Sequence, residues 1–158
     1  MSANLRRALA TEADTRALGA QLAAALPPRF ACYLHGDLGS GKTTLARALV
    51  QALLPGARVK SPTYTLLESY EAPGRTVHHL DLYRIAAAGE LDALGLRDLD
   101  GVLLIEWPER GAGHLPAPDL VVSLALAGEG RAVDLQARST TGSAVLAQLA
   151  RGQASEPD

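Results

Sequence analysis

The chain has a single cysteine, Cys32, among its 158 residues, so it can close no internal disulfide and build no cysteine-based structural zinc site. No apolar run approaches the ~20 residues needed to span a bilayer. Met1-Ser2-Ala3-Asn4-Leu5-Arg6-Arg7 is not followed by the apolar core of a signal peptide, and a cytoplasmic location is the expectation. Neither sign of charge dominates: 15 basic and 17 acidic residues leave a net charge of −2. With a pI near 6.1, the chain is a poor candidate for gripping nucleic acid alone. Lysine is scarce, with only Lys42 and Lys60 against 13 arginines and 29 alanines. Where arginine is used so heavily, a retained lysine draws attention to what a compact ammonium does that a planar guanidinium does not. What is present is the composition of a globular protein, 47% hydrophobic and 20% charged. The length suits one ordinary domain with a real core.

The pattern along the chain alternates helices with buried strands. Residues 4–10 read as a short strand with Leu5, Arg7 and Leu9 on one side. Thr11-Glu12-Ala13-Asp14 reads as a capped helix start, and that helix runs to about Leu26, before Pro27-Pro28. Phe30 to His35 is a compact apolar run, and a second helix is expected from near Gly41 to about Leu53. Strands are expected over Tyr64–Tyr70 and Thr76–Tyr83, joined by the turn Ala72-Pro73-Gly74. Ala86–Leu94 reads as a short helical stretch and Val102–Trp107 as another buried strand. Leu120–Ala127 and Arg131–Arg138 flank Gly128-Glu129-Gly130, a second hairpin signal. Thr141–Ala150 reads as a closing helix, and Gly152–Asp158 as a loose tail. Helices between buried strands imply an α/β fold, and two hairpins imply a mixed sheet.

One segment carries explicit chemistry. Gly36-Asp37-Leu38-Gly39-Ser40-Gly41-Lys42-Thr43-Thr44 matches G-x-x-x-x-G-K-[ST] between an expected strand and an expected helix. The glycines let the backbone curl so that N–H groups point at phosphate oxygens, and the helix presents its positive N-terminus to the same anion. Lys42 supplies a movable charge for β- and γ-phosphates, Thr43 a hydroxyl for Mg²⁺, and Thr44 a contact to an α-phosphate. The only asparagine is Asn4, so the guanine-reading N-K-x-D signature is absent and adenine is favoured.

Such a loop needs a carboxylate for the metal. Asp81 follows His79-Leu80 at a strand end, and Glu106 follows the aliphatic run Val102-Leu103-Leu104-Ile105. Either can hold magnesium through water, and either can orient the attacking water. Trp107 either packs or lies near the nucleotide. Arg84 is the nearest candidate for a charge aimed at a transferring phosphoryl group. Lys60-Ser61-Pro62-Thr63-Tyr64-Thr65 lies where such proteins often hold a loop that responds to the γ-phosphate. His78 and His79 are adjacent on a strand, face opposite ways, and show no metal-site spacing; Cys32 reads as inert core.

Four blocks together resemble the bacterial TsaE (YjeE) family of small P-loop ATPases. They are the loop of residues 36–44, Lys60-Ser61-Pro62-Thr63-Tyr64-Thr65-Leu66, His79-Leu80-Asp81-Leu82-Tyr83-Arg84, and Glu106-Trp107-Pro108. Their order and spacing cover roughly residues 5–150. The resemblance implies a three-layer P-loop fold with a mixed sheet, parallel at its centre and antiparallel at its margins. One ATPase domain is expected over residues 1–151, with 152–158 as a tail that lies outside the resemblance. The resemblance also implies ATP and Mg²⁺, with Lys42, Asp81 and Glu106 as catalytic residues and Thr43, Asp81 and Glu106 around the metal. Thr11, Glu12 and Arg131 are placed near the adenine end. The implied activity is ATP hydrolysis, weak alone and stimulated by partners. TsaB and TsaD attach threonylcarbamoyl to adenosine 37 of tRNAs reading codons that start with A, and a TsaE-like subunit drives or resets that cycle, with tRNA reached only through the complex. A small-molecule P-loop kinase, with Gly89–Arg97 as its one compact lid candidate, and a nucleotide-binding adaptor without turnover are the alternatives.

Overall fold

A computed structural model describes residues 3–154. In chain order the elements are β1 (Asn4–Leu9), α1 (Glu12–Ala25), β2 (Phe30–His35), α2 (Lys42–Leu53), β3 (Leu67–Ala72), β4 (Arg75–Asp81), β5 (Val102–Glu106), β6 (Leu120–Ala127), β7 (Gly130–Ala137) and α3 (Thr140–Ala154). Short 3₁₀ segments occupy Ala88–Leu94, Leu96–Asp98 and Pro108–Gly111. The strands form one seven-stranded sheet in the order β1-β7-β6-β2-β5-β4-β3. Its centre is parallel, through the β6–β2, β2–β5 and β5–β4 pairs. Its margins are antiparallel, through β1–β7, β7–β6 and β4–β3. The expected mixed α/β sheet is thus the one found.

Alternation along the central strands divides the core in two. Phe30, Cys32 and Leu34 of β2, with Val102 and Leu104 of β5, pack beneath α1, α2 and α3. Ala31 of β2, with Leu103 and Ile105 of β5, faces a second cluster built from Leu91, Leu96 and Leu115. One face therefore carries the long helices and the other the short 3₁₀ turns, which gives three layers. No helix among the described residues is long and apolar enough to cross a membrane.

Several boundaries differ from the sequence reading for physical reasons. The strand expected from Tyr64 begins only at Leu67. Pro62 opens a turn closed by Leu66 N–H donating to the Pro62 carbonyl at 2.8 Å, and Leu66 takes φ of +71°, which no strand accommodates. β5 stops at Glu106 because Trp107 is left-handed, with φ of +58°. The expected helix over 86–94 is a 3₁₀ segment that starts at Ala88. α3 continues to Ala154, past the expected end at Ala150, so the first residues of the expected tail are helical. Residues 155–158 lie outside the described residues.

α1 begins with a reciprocal cap, in which Thr11 Oγ1 accepts from Asp14 N–H and Asp14 accepts from Thr11 N–H, each at 3.2 Å. Gly19 lets α1 lie close against α2, the helix that follows the glycine-rich loop. A Cβ there would stand 2.7 Å from Ala48 Cβ and 2.9 Å from the Leu45 carbonyl. Gly19→Val is therefore expected to lower the unfolding free energy by about 1–3 kcal/mol through overpacking. Urea unfolding checks this; an unchanged midpoint would mean that α1 moves away from α2 at no cost.

Candidate functional site

The site grows from the carboxyl ends of the central parallel strands. β2 ends at His35, and the chain then curls through Gly36–Gly41 before α2 starts at Lys42. Gly36, Gly39 and Gly41 have φ of +149°, +80° and +105°, values that side-chain-bearing residues rarely adopt. At Gly36 space is also decisive, because a Cβ would collide with Ser40 Oγ and the Leu124 carbonyl. Gly41 caps α2 without a side-chain hydrogen bond, and no acidic residue occupies the first turn. The helix N-terminus is left open to an anion.

Lys42 is only 5% exposed. Its Nζ donates to the Gly36 carbonyl and lies 3.6 Å from the centroid of the Trp107 ring. Burial pushes this ammonium below its ordinary pKa, opposed by the carboxylates of Glu106, Glu109, Asp81 and Asp37. The left-handed turn at Trp107 is what aims the indole back at the loop, and Tyr83 packs on that ring at 4.9 Å.

Asp81 and Glu106 are register partners across β4 and β5. Both are buried, at 6% and 1% exposure. Glu106 Oε1 accepts from Thr43 Oγ1 at 2.9 Å, which links the acid to the first turn of α2. Asp81 Oδ1 accepts from Tyr83 N–H at 2.9 Å and Oδ2 from Thr63 Oγ1 at 3.2 Å. The loop expected to sense phosphate is thus tied to this acid in the present state.

These groups line one cavity of about 820 Å³, a size suited to a small-molecule ligand. Residues 37–44 line it together with Asp81 and Glu106, and Thr11, Glu12 and Arg131 border it as well. Ser40 Oγ is buried at the loop with no hydrogen-bond partner. No group of three His, Cys, Asp or Glu side chains among the described residues could hold a metal by itself. Thr43, Asp81 and Glu106 instead offer a hydroxyl and two carboxylates, hard oxygen donors of the kind that hold Mg²⁺ together with substrate phosphates. The donor set and the glycine cradle fit a magnesium–nucleotide pair.

The model of the family described as "Threonylcarbamoyl adenosine biosynthesis protein TsaE" matches residues 9–133. The chain belongs to the TsaE family. The tRNA threonylcarbamoyladenosine biosynthesis protein TsaE of Haemophilus influenzae is 44% identical over 117 residues, covering 72% of this chain and 74% of the relative. The protein of the same name from Rickettsia bellii is 38% identical over 126 residues, covering 78% and 88%. The crystal structure of YdiB from Bacillus subtilis superposes with a TM-score of 0.81 at 25% identity, covering 97% of this chain and 98% of that one.

Within this TsaE-family chain, every residue singled out from the P-loop and the two acids falls on the one site. Arg131 does more than border the cavity. Its Nη2 donates to the Gly39 carbonyl at 2.9 Å and its Nε to the Ser40 carbonyl at 3.1 Å. A trans peptide sets each carbonyl opposite the next N–H, so holding the Ser40 carbonyl turns the Gly41 N–H away from the guanidinium. Arg84 borders the cavity and lies 4.7 Å from the ring of the exposed Tyr64. Cys32 is buried, and burial, then the charge of Asp119, pushes its thiol up to about 12, so it stays protonated and unreactive. His78 and His79 do face opposite ways, but His79 has a part in the site that the sequence reading missed. Its Nε2 lies 2.6 Å from Glu106 Oε2. The available signal was its spacing: two residues before Asp81 on one strand puts both on the same face.

Arg131→Ala frees two loop carbonyls and is expected to weaken ATP binding about tenfold, equivalent to ~1.4 kcal/mol. Titration with labelled ATP checks it. Wild-type affinity would mean that the glycine loop keeps its shape without the clamp.

Proposed function

We propose that this chain is the ATP-binding and ATP-hydrolysing subunit needed for threonylcarbamoyl modification of adenosine 37 in tRNAs reading codons that start with A, working in the cytoplasm with TsaB and TsaD. The observation that carries the reading is the Thr43–Glu106 hydrogen bond of 2.9 Å beside the P-loop of a TsaE-family chain. It joins a phosphate cradle to an acid at the point where the metal of a nucleotide belongs. Residues 1–151 act as the single ATPase domain.

In this reading residues 36–44 hold the phosphates through backbone N–H groups and the start of α2. Lys42 exchanges the Gly36 carbonyl and the Trp107 face for the β- and γ-phosphates. Thr43, Asp81 and Glu106 hold magnesium, which when bound neutralises phosphate charge. Glu106, besides its place at the metal, orders the attacking water. Thr11 and Glu12 border the cavity toward the adenine end, and Arg131, beside them in this reading, also holds the Gly39 and Ser40 carbonyls of the loop. A net charge of −2 leaves little attraction for free tRNA, so RNA arrives through the partner proteins. Arg84 rests near Tyr64, and hydrolysis is slow until a partner completes the charge around the transferring phosphoryl group.

The kinase alternative loses its lid. In the 88–98 region Leu91 and Leu96 are buried in the cluster on the sheet face opposite the long helices, and Arg97 donates to the Gly113 carbonyl. Those two leucines anchor an otherwise largely exposed segment on that face, and none of its residues lines the cavity.

The two acids are expected to separate by role. Asp81→Ala should weaken magnesium-dependent ATP binding. Glu106→Ala should keep nucleotide at saturating magnesium but lose turnover with TsaB and TsaD by ~10²-fold or more. Magnesium titrations of labelled-ATP binding and steady-state ADP release test this. Equal loss of binding in both variants would mean that the acids share one metal role.

A further inference from the structure

Both oxygens of the Glu106 carboxylate have partners within the protein. Oε1 accepts from Thr43 Oγ1 at 2.9 Å, and Oε2 lies 2.6 Å from His79 Nε2. A glutamate's terminal torsion is broad and roughly two-fold, so a carboxylate held by one partner alone would still swing. We propose that His79 is the positioning residue of Glu106, fixing its carboxylate so that Thr43 and the acid present one rigid oxygen set to the cavity; this rests on the ATPase reading above.

Three observations support the assignment. His79 is fully buried, with 0% exposure, at the register position of Leu104, two residues before the Asp81–Glu106 pair. A carboxylate at this distance is an acceptor, so Nε2 carries the hydrogen that holds it. The opposite ring nitrogen, Nδ1, is buried with no hydrogen-bond partner. An unpartnered buried polar atom is a cost, and a leucine would fill an apolar slot without it. Packing alone therefore does not account for histidine at this position, whereas a hydrogen bond to an acid of the site does. Its neighbour His78 makes the contrast. Both of its ring nitrogens have partners, Ser69 Oγ at 2.8 Å and the Asp100 carbonyl at 3.2 Å, and neither is part of the site.

The test uses the full chain with TsaB and TsaD and compares wild type, His79→Leu and His79→Gln. Leucine removes the donor; the glutamine amide keeps an N–H at nearly the same reach. His79→Leu is expected to lower kcat for ATP about tenfold or more, the usual effect of losing a group that orients a metal-site acid. Its KM for ATP should stay within about threefold of wild type. His79→Leu leaves one oxygen of a buried carboxylate without its donor, so its thermal midpoint without nucleotide should fall, whereas His79→Gln should recover both the midpoint and most of kcat. A wild-type kcat in His79→Leu overturns the assignment. So does an equal loss of kcat in both variants accompanied by lower midpoints, because that marks a purely structural residue. A second readout needs no turnover: the magnesium required for half-maximal ATP binding should rise several-fold in His79→Leu and return in His79→Gln. An unshifted magnesium requirement overturns the assignment while leaving the ATPase reading intact. Absence of ADP release from wild type with its partners overturns the ATPase reading, and the magnesium titration still decides for or against His79.

Discussion

Parallel pairing of β4 with β5 places Asp81 beside Glu106 at the ends of two buried strands, and the rest of the site is assembled against that pair. Two carboxylates side by side in a core are costly unless each is given donors. Each is. Glu106 has Thr43 and His79; Asp81 has the Tyr83 N–H and Thr63. Because those donors come from α2, from β4 and the turn just after it, and from the chain before β3, satisfying the acids also pins these parts of the chain around one cavity. The pairing of β2 with β5 then sets where the glycine-rich loop leaves the sheet.

The loop is held from both sides. Inside it, positive-φ glycines give the backbone its curl, and Lys42 lies across the curl, bonded to the Gly36 carbonyl and stacked on Trp107. Outside it, Arg131 of the last hairpin takes up the Gly39 and Ser40 carbonyls. The scarcity of lysine acquires a physical sense from this contrast. The guanidinium spans two fixed carbonyls with its planar fork, whereas the compact ammonium fits one carbonyl under the Trp107 ring.

What the sequence made legible is what is local. The glycine loop, its strand and its helix are contiguous, and an acid after an aliphatic run marks a strand end whatever the sheet order. The resting place of Thr63 and the late start of β3 were less legible, because they hinge on the left-handed turn at Leu66, where no glycine or asparagine announces it. The face of His79 was legible from its spacing to Asp81, but its bond to Glu106, 27 residues away, and that of Arg131 to Ser40, 91 residues away, were not. Both depend on which strands lie next to each other, and periodicity gives the face of a residue but not its neighbour across the sheet.

The proposed activity is ATP hydrolysis that is slow in the isolated chain and accelerated by its partners. Its most direct measurement is ADP release by the purified chain alone, with tRNA alone, and with the TsaB–TsaD pair, no other metabolite being added. Slow release alone, no response to tRNA, and acceleration by the pair are predicted, up to the ~10³–10⁵-fold that completing a phosphoryl-transfer site supplies. Full-speed release by the isolated chain, or stimulation by tRNA without the two proteins, would contradict it.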